Sequence, residues 1–390
     1  MIFRLKSHQN KDLLEYKKGM LSYPSWPHPS WIEINLDQFK KNIAIIKNRI
    51  DSSLLCLPIK ANAYGHGLVP IARSAQEAGV DYLAVAHLQE GVKLRESQIT
   101  LPVLVLGAIH EDQICDLIRF NLEFTISSQY KADLVAKECQ KLGVTCRVHL
   151  EVDTGMQRTG VRLSTAPELL KYLRKKGCFE VVGVYSHLAK ADYPEEITTI
   201  KQITSFKSLI QEPLFQEQKM LFHIANSGGV LHFPEAHLDM VRPSLLAFGY
   251  SHQVEGIKSC FSLKSKISYF KVVQQGEGVS YGHSYVTSQR TRIVTIPIGY
   301  GDGYRRVLSN KGSVLIHGKR FPIVGAICMD QLMVDIGNEE AYVGDEVILI
   351  GRQGEEEITA EEIAALCDTI PYEVLCFFNE RIPRIYTAGR

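Results

Sequence analysis

A lysine follows the first strongly apolar run of the chain, where it could take part in chemistry. The stretch PIKANAYGHG, residues 58–67, carries Lys60 and Tyr64 directly after the run LLCLPI and then turns. A lysine in a dry pocket has a lowered pKa and attacks carbonyl groups, and the usual product is a Schiff base with a substrate or with pyridoxal phosphate. Lys60 is therefore a candidate nucleophile.

Four further polar residues lie at or just after the ends of apolar runs: His187, His223, Ser227 and Arg242. A charge inside a buried strand is costly, whereas the carboxyl ends of parallel strands line the active-site mouth of a barrel. Each residue taken singly is more simply explained as structural. Their convergence at one rim is what indicates a shared site.

Two segments near the end of this series could hold a phosphate. ANSGG and RPSLLAFG are rich in small residues and follow the last two apolar runs. In a barrel, the loops after the seventh and eighth strands often supply backbone N–H groups to a phosphate. ANSGG alone could equally be a plain turn.

The elements that would position these residues form a repeating series between about Leu54 and Pro243. Short apolar runs are separated by helix-length amphipathic segments such as SFKSLIQEPL, which favours parallel strands with helical crossovers. Eight such runs predict a (β/α)8 TIM-like barrel, with a doubly wound open sheet as the alternative. The runs are LLCLPIK, YLAVAHL, PVLVLG, EFTIS, CRVHLEVD, VVGVYSHL, MLFHIANS and HLDMVRPS.

From about Leu263 the pattern changes to successive strands, interrupted by one helix with the capping-box spacing Thr359 to Glu362. We therefore predict an α/β protein in which a barrel is followed by a mostly β domain. The expected divisions are an N-terminal extension at 1–29, the barrel at 30–262 and the β domain at 263–390. The strand at 30–35 could instead join the β domain.

Composition excludes several classes of function. The 390 residues carry a net charge of +1, with no blocks of like charge, so nucleic-acid binding is not expected. No stretch is long and apolar enough for a membrane span, and residues 1–20 lack the apolar centre of a signal peptide. Nine cysteines without a CxxC pair favour free thiols over disulfides or zinc. We expect a cytoplasmic protein without a metal.

Eight segments of the sequence resemble those of a known family. They occur in that family's order between about Trp31 and Arg384, and together they resemble the alanine racemases. The segments are KANAYGHG, DTGMQRTGV, HIANSGG, MVRPSLLAFG, GEGVSYGHSY, IPIGYGDGYRR, ICMDQLMVD and YEVLCFFNERIPR. The resemblance implies a pyridoxal-phosphate barrel with a β domain, a head-to-tail homodimer, and interconversion of L- and D-alanine for peptidoglycan precursors.

The resemblance also implies two catalytic residues. Inverting a carbon requires that a proton leave one face and that another return to the opposite face, so two bases are needed. Lys60 is expected to hold the cofactor covalently and to act as one base. Tyr281, reaching the site from the partner subunit, is expected to be the other.

Further roles follow from the resemblance in the same way. Arg242 would face the pyridine nitrogen and keep it unprotonated, which makes the ring a poorer electron sink and suppresses transamination. The other expected cofactor contacts are Tyr64, His187, Ser227, Ser244, Leu245 and Tyr372. Arg158 and Met329 would bind the substrate carboxylate, and Glu151, His223, Tyr300 and Asp330 would be supporting neighbours.

Two of the departures from the family pattern concern residues of the expected site. Glu151 stands where the family commonly has a lysine carrying a carbamate, beside the arginine that binds carboxylate. We hypothesise that Glu151 supplies that negative charge permanently, so that Arg158 is oriented without carbon dioxide. Ser244 stands where glycine is usual next to the phosphate, which is tolerable if only its backbone N–H is used.

Other functions remain open on the sequence. A racemase of another small amino acid such as serine differs by one substituent of the substrate, and a related-fold amino-acid decarboxylase shares the barrel and the cofactor. The C-terminal cysteine segment of the decarboxylase has no match here. A noncatalytic pyridoxal-phosphate carrier would have no use for Tyr281, and a plain binding module would have no use for Lys60, Arg158 and Arg242 together.

Overall fold

The structure is a computed structural model that describes residues 28–250 and 254–388. The described chain forms two compact units. One unit contains residues 28–34 and 261–388, and the other contains residues 35–260. Of the predicted N-terminal extension, residues 1–27 lie outside the described residues.

The described chain begins with a strand and a helix that the sequence predicts. β1 (Trp31–Asn35) is followed at once by α1 (Leu36–Arg49). The Asn35 side chain accepts a hydrogen bond from the Gln38 backbone N at 2.9 Å, which is the usual N-cap contact. Phe39, Ile43 and Ile46, at helical spacing, are buried.

The unit of residues 35–260 contains eight parallel strands in barrel order, which confirms the predicted fold class. Between the ends of the series, hydrogen bonds from Asp239 N to Phe222 O and from Arg242 N to Ala225 O nearly close the barrel. The alternative of a doubly wound open sheet is therefore wrong. In spatial order the strands are β10 (Met240–Val241), β2 (Leu54–Pro58), β3 (Tyr82–Val85), β4 (Val103–Val105), β5 (Glu123–Ile126), β6 (Cys146–Asp153), β8 (Phe179–Tyr185) and β9 (Leu221–His223); β7 (Val161–Arg162) pairs with β6.

Helices follow the strands of this unit along the chain. In chain order they are α2 (Leu68–Glu77), α3 (Leu88–Glu96), α4 (Ile114–Arg119), α5 (Gln129–Leu142), α6 (Ala166–Lys176), α7 (Ile197–Ile210), α8 (Pro213–Gln216), α9 (Ser227–His232) and α10 (Leu245–Phe248). Strand β6 alternates Val148, Leu150 and Val152 with polar residues, among which His149 and Glu151 are also buried. Successive side chains of a strand point to opposite faces, so polar groups line the barrel interior.

The unit of residues 28–34 and 261–388 is mostly β. Its largest sheet has the order β17-β16-β19-β11-β1-β21, with β20 beside β19; a second sheet is β12-β15-β18, and β13 pairs with β14. The strands are β11 (Phe261–Lys266), β12 (Tyr269–Val273), β13 (Gly278–Val279), β14 (Tyr285–Val286), β15 (Thr291–Ile296), β16 (Ser313–Ile316), β17 (Lys319–Pro322), β18 (Leu332–Asp335), β19 (Glu346–Gln353), β20 (Glu356–Ile358) and β21 (Arg384–Thr387).

Two helices interrupt these strands, and the sequence predicts only the first. In α11 (Ala360–Leu366), Thr359 accepts from Glu362 N at 3.1 Å, as its capping spacing predicts. The expectation of one helix is wrong because α12 (Pro371–Cys376) follows. Six residues are too few to show a helical period, although proline at the first helical position favours a helix start. No helix among the described residues is long and apolar enough to cross a bilayer.

Candidate active site

Lys60 introduces a turn of unusual handedness. Lys60 follows β2 after one residue, and the next four residues, Ala61 to Tyr64, all have φ between 51° and 55°. This left-handed conformation costs non-glycine residues roughly 1–2 kcal/mol each. Gly65 and Gly67 then continue with φ of 81° and 100°. Such strain persists only where surrounding contacts impose it.

Two side chains hold this turn. Glu90, in α3, accepts from Ala61 N at 2.7 Å with Oε1, and its Oε2 accepts from Ala86 N at 2.8 Å. Asn62 Oδ1 accepts from Leu68 N at 2.8 Å, which ties the turn to the start of α2. The sequence-based reading missed Glu90, because a glutamate far along the chain from Lys60 on an ordinary helix carries no local signal. The contacts fix the backbone of the turn that begins at Lys60, at the carboxyl end of β2.

Tyr64 ends the turn and is buried. Its ring lies 5.6 Å from that of Phe248, the last residue of α10, between ring centroids. Helix α10 begins at Leu245, directly after Ser244. The turn after β2 and the loop after β10 therefore meet, as neighbouring loops of one barrel rim should.

The loops after β9 and β10 begin short helices at the same rim. Ser244 N donates to Ser227 Oγ at 2.9 Å, and both serines are buried. Asn226 caps α9 by accepting from Gly229 N at 3.0 Å. A Cβ on Gly228 would lie 2.4 Å from Ala191 O, so glycine is needed for the close approach of that loop. Ser227, Ser244 and Leu245 thus lie together at the predicted phosphate position.

Arg242 directly follows β10 and is buried inside the barrel. Its Nη1 donates to His223 Nδ1 at 2.7 Å, and its Nη2 donates to Ser186 O at 2.7 Å. The guanidinium lies 5.2 Å from the centre of the Tyr185 ring. Burial lowers the pKa of Arg242, an effect that the nearby Cys56, Tyr185 and Glu151 oppose. An arginine held in this way presents a fixed positive charge.

Two histidines beside Arg242 are kept neutral. Burial, with the charges of Arg242, Arg158 and Lys60, lowers the pKa of His187 from 6.5 to about 3. Burial and Arg242 likewise put the pKa of His223 well below its usual value. Arg242 Nη2 lies 3.3 Å from His187 Nδ1, which must then accept. Lys60, His187, His223 and Arg242 are thus brought to one end of the barrel.

Tyr185 connects several of these groups, and the sequence-based reading missed it. Its ring stacks on that of His223 at 5.0 Å and 15°. Its hydroxyl lies 2.8 Å from Thr125 Oγ1. Tyr185 is the last residue of β8 and shares a face of that strand with Gly183. An aromatic residue at this position can be recognised as part of the barrel interior only once the barrel is known.

Glu151 and Arg158 lie on β6 and on the loop that follows it. Glu151 is buried and its Oε1 accepts from Thr159 Oγ1 at 2.8 Å, whereas Arg158 is exposed. Burial raises the pKa of Glu151, and the Thr159 hydrogen bond with the charges of Arg242 and Arg158 opposes this rise. The carboxyl group is thus within the electrostatic reach of both arginines.

Tyr281 lies in the other unit, at the tip of an exposed turn. Its side chain is 74% exposed. The preceding Ser280 has φ of 65° and donates from its Oγ to Ala326 O at 2.6 Å. A Cβ on Gly325 would lie 2.6 Å from Val279 O, so this close crossing needs glycine. The backbone of this turn is therefore held in place, while the phenol of Tyr281 is exposed to solvent.

The other predicted residues of that unit are Tyr300, Met329, Asp330 and Tyr372, of which the first three lie close to one another. Tyr300 N donates to Cys328 O at 3.1 Å and Gly301 N donates to Met329 O at 2.8 Å, which places Tyr300 beside Met329. Both side chains are substantially exposed. Asp330 Oδ1 accepts from Arg381 Nη2 at 2.7 Å. Tyr372 is half-buried in α12.

The groups at the carboxyl end of the barrel fit pyridoxal phosphate. Lys60 offers an amine for a carbonyl, and the hydrogen-bonded starts of α9 and α10 offer a small-residue cradle for a phosphate. Arg242, anchored by His223, offers a donor and no acceptor to a ring nitrogen. Among residues 28–250 and 254–388, no group of three or more His, Cys, Asp or Glu side chains is arranged to hold a metal.

Comparisons with known proteins agree with this geometry. Residues 34–252 match the family described as alanine racemase, N-terminal domain, and residues 260–386 match alanine racemase, C-terminal domain. An alanine racemase of Symbiobacterium thermophilum is 40% identical, over 92% of this chain and 97% of that protein. These matches span both units.

Solved structures show the same similarity. The alanine racemase of Streptomyces lavendulae has a TM-score of 0.88 and 34% identity, covering 94% of this chain and 99% of that one. The Bartonella henselae alanine racemase, with covalently bound pyridoxal phosphate, has a TM-score of 0.83 and 27% identity, covering 93% and 100%. The sequence-based identification is confirmed, and this chain belongs to the alanine racemase family of pyridoxal-phosphate-dependent isomerases.

Proposed function

We propose that this chain is an alanine racemase that interconverts L- and D-alanine with pyridoxal phosphate. The observation that carries the proposal is the placement of Lys60 and Arg242 at one end of the barrel. Lys60 is held there by the Glu90-bound turn, and Arg242 by His223. Relatives named alanine racemase, alike over nearly the whole chain, support the choice of substrate.

We assign the cofactor contacts to the residues already described at this end of the barrel. The Lys60 amine would join the carbonyl group, while Ser227, Ser244 and Leu245 would hold the phosphate with Tyr64 and Tyr372. When bound, the cofactor withdraws electrons from an attached amino acid, so that its Cα proton can be removed. Arg242 would face the ring nitrogen without protonating it.

Two side chains would move the Cα proton. Lys60 would take or return it on one face, and Tyr281 would do so on the opposite face. We propose that Tyr281 comes from a second copy in a homodimer. An exposed phenol on a firmly held turn supports this role, because it is available to another chain.

His187 would orient that phenol. Since His187 Nδ1 accepts from Arg242, its proton is carried by Nε2, which can donate to the oxygen of Tyr281 of the partner subunit. The lowered pKa of His187 keeps the ring neutral, so it adds no further positive charge beside Arg242 and Lys60.

Arg158 would bind the substrate carboxylate with the help of Met329. Tyr300 would line the entry, and Asp330 would be a supporting neighbour. We hypothesise that Glu151 orients Arg158 through a permanent negative charge. The burial of Glu151 and its proximity to both arginines motivate this role. Activity measured after carbon dioxide depletion and again after adding bicarbonate tests it, and a rise on addition would contradict it.

We further propose a cytoplasmic enzyme that supplies D-alanine for peptidoglycan precursors, with no nucleic-acid or membrane partner. The nine cysteines support a reducing compartment. All nine lie in the described part of the chain, and none of them forms a disulfide there.

Chiral analysis of purified protein supplied with pyridoxal phosphate tests the function. L-alanine and, separately, D-alanine should each approach equal amounts of both enantiomers with the total unchanged, because mirror images have equal free energy. Lys60→Ala, the control, should form neither product. A falling total would indicate another reaction, and conversion of serine without alanine would indicate another substrate.

A further inference from the structure

A column of buried polar side chains runs through the barrel from the active-site end. Arg242 Nη1 lies 2.7 Å from His223 Nδ1, and His223 Nε2 lies 3.1 Å from His149 Nδ1. His149 Nε2 lies 2.9 Å from Glu123 Oε2. All four residues are at most 3% exposed. Only Arg242 and His223 of this column have a role in the function proposed above.

The donor at one end determines where every proton of the column lies. Arginine only donates, so His223 Nδ1 must accept and its proton must lie on Nε2. That proton is donated to His149 Nδ1, which leaves the proton of His149 on Nε2. His149 then donates to Glu123, and an ionised carboxylate accepts. All the hydrogen bonds therefore point the same way, from Arg242 to Glu123.

The carboxylate at the far end is itself paired. Glu123 Oε1 lies 2.7 Å from Arg147 Nη1, and Arg147 is half-exposed. Arg147 lines a cavity of about 500 Å³ with Tyr82 and Arg174. A buried carboxylate would be costly alone, and this ion pair offsets part of that cost.

Neighbouring residues restrict the rings of His149 and His223 to one orientation each. A Cβ on Gly183, which is paired with His149 across β6 and β8, would lie 2.4 Å from His149 Nδ1, so glycine makes room for the ring. Tyr185 stacks on the other ring at 5.0 Å. Rings packed in this way cannot turn over to exchange their nitrogens without moving their neighbours.

We propose that Glu123 and His149 are positioning residues that fix His223 as the Nε2–H tautomer and thereby hold Arg242 in place at the active site. The inference rests on the proposed function only in that Arg242 is taken to face the ring nitrogen of the cofactor. If His223 carried its proton on Nδ1, two donors would oppose each other at Arg242. The guanidinium would then lose its contact with His223 and be held only by Ser186 O and His187.

Glu123→Gln tests the direction of the column. The amide has a single oxygen, which can serve either Arg147 or His149 but not both. If the oxygen serves Arg147, the amide N–H faces His149 and the column reverses, so that N–H of His223 faces Arg242. Glu180→Gln is the matched control, because Glu180 lies 3.7 Å from Arg147 but is exposed and outside the column.

The direct readout is ¹⁵N NMR of the histidine rings in the holoenzyme, with the His223 signals assigned by their loss in His223→Gln. In the wild type and in Glu180→Gln we expect neutral His223 with its proton on Nε2. In Glu123→Gln the Nδ1–H form should appear. Wild-type His223 that is protonated on Nδ1 or doubly protonated overturns the proposal without any variant. So does a folded Glu123→Gln in which His149 changes its tautomer and His223 does not.

The reaction gives a second readout that a purely structural role would not move. If Arg242 is displaced, alanine and the cofactor should more often exchange amino and keto groups, giving pyruvate and pyridoxamine phosphate. The ratio of pyruvate to racemised alanine should rise by a few-fold to about tenfold in Glu123→Gln, the size of one hydrogen bond. Equal losses of both products would contradict the proposal. Failure of the wild type to racemise alanine would sink the proposed function, while the tautomers would still test the column.

Discussion

Glu90 Oε1 accepts a hydrogen bond from the backbone N of Ala61, the residue after Lys60, over 2.7 Å. The same carboxylate accepts from Ala86 N and, at 3.2 Å, from His87 N. One carboxylate therefore joins the lysine turn after β2 to the loop after β3. This contact opposes the strain of four left-handed residues.

Replacing this carboxylate should loosen the turn and release the cofactor. In Glu90→Gln the side-chain NH2 group must replace one of the two accepting oxygens and face a backbone N–H that needs an acceptor. This should cost about 1–3 kcal/mol. We expect a lower melting temperature and a faster loss of pyridoxal phosphate on dialysis. The absorbance of the bound cofactor measures that loss. Glu96→Gln, an exposed change on the same helix, is the control. Equal cofactor retention in the two variants would refute the role of Glu90.

Histidine burial should make the protein less stable in mild acid. The folded-state pKa of His187 is lowered to about 3 and that of His223 is also lowered, so the unfolded chain binds these protons more tightly. The free energy of unfolding should therefore fall as the pH drops below about 6.5. The raised pKa of Glu151 acts the other way, adding stability as its carboxyl group is protonated.

Urea unfolding between about pH 7 and about pH 5.5 measures this effect, and His187→Asn should flatten the slope because asparagine does not titrate. A slope in that variant as steep as in the wild type would mean that other groups control acid stability.

Two thiols should be unreactive in the folded protein. Burial raises the pKa of Cys56 and of Cys260 to about 12, and the reactive thiolate is almost absent at neutral pH. A thiol reagent should label Cys376, which is exposed, much sooner than these two. Peptide mapping after brief labelling shows the order, and early labelling of Cys56 would mean that the barrel interior opens.

A methyl group at Gly183 should disrupt the barrel interior. The added Cβ would lie 2.4 Å from His149 Nδ1 and 3.0 Å from Leu221 O, and overpacking of this kind costs about 1–3 kcal/mol. Gly143→Ala is the matched control, since its Cβ meets nothing within 4 Å and only its positive φ is unfavourable. Melting temperatures should drop more for Gly183→Ala; the reverse order would mean that His149 can move aside.

The barrel could be predicted from the sequence because its signals are local. Each strand is a short apolar run, and the residues at its end, such as Lys60 and Arg242, are conspicuous there. The contacts that hold them are not local. Ala61 has no preference for a left-handed conformation, and Glu90 reaches the turn only through the fold. Tyr185 looks like any strand aromatic until its ring is found against His223.

In the β unit, too, features with a local sequence signal could be predicted and the others could not. Thr359 and Glu362 predict α11 because a capping contact spans three residues. Helix α12 is too short to show a helical period in the sequence. The run KISYFKVV does not indicate the break between β11 and β12 at residues 267–268, because its apolar character continues through the break.

Mixing two inactive variants tests most directly whether two chains complete one site. Lys60→Ala and Tyr281→Phe should each be inactive alone and should each remain folded. If Tyr281 serves the site of the partner subunit, a mixed dimer has one site with Lys60 and Tyr281 and one with neither. With random subunit exchange, half of the dimers are mixed, so the racemase activity should recover to about a quarter of the wild-type value. Recovery to that level is the predicted result, and no recovery despite mixed dimers seen by native mass spectrometry would contradict a shared site.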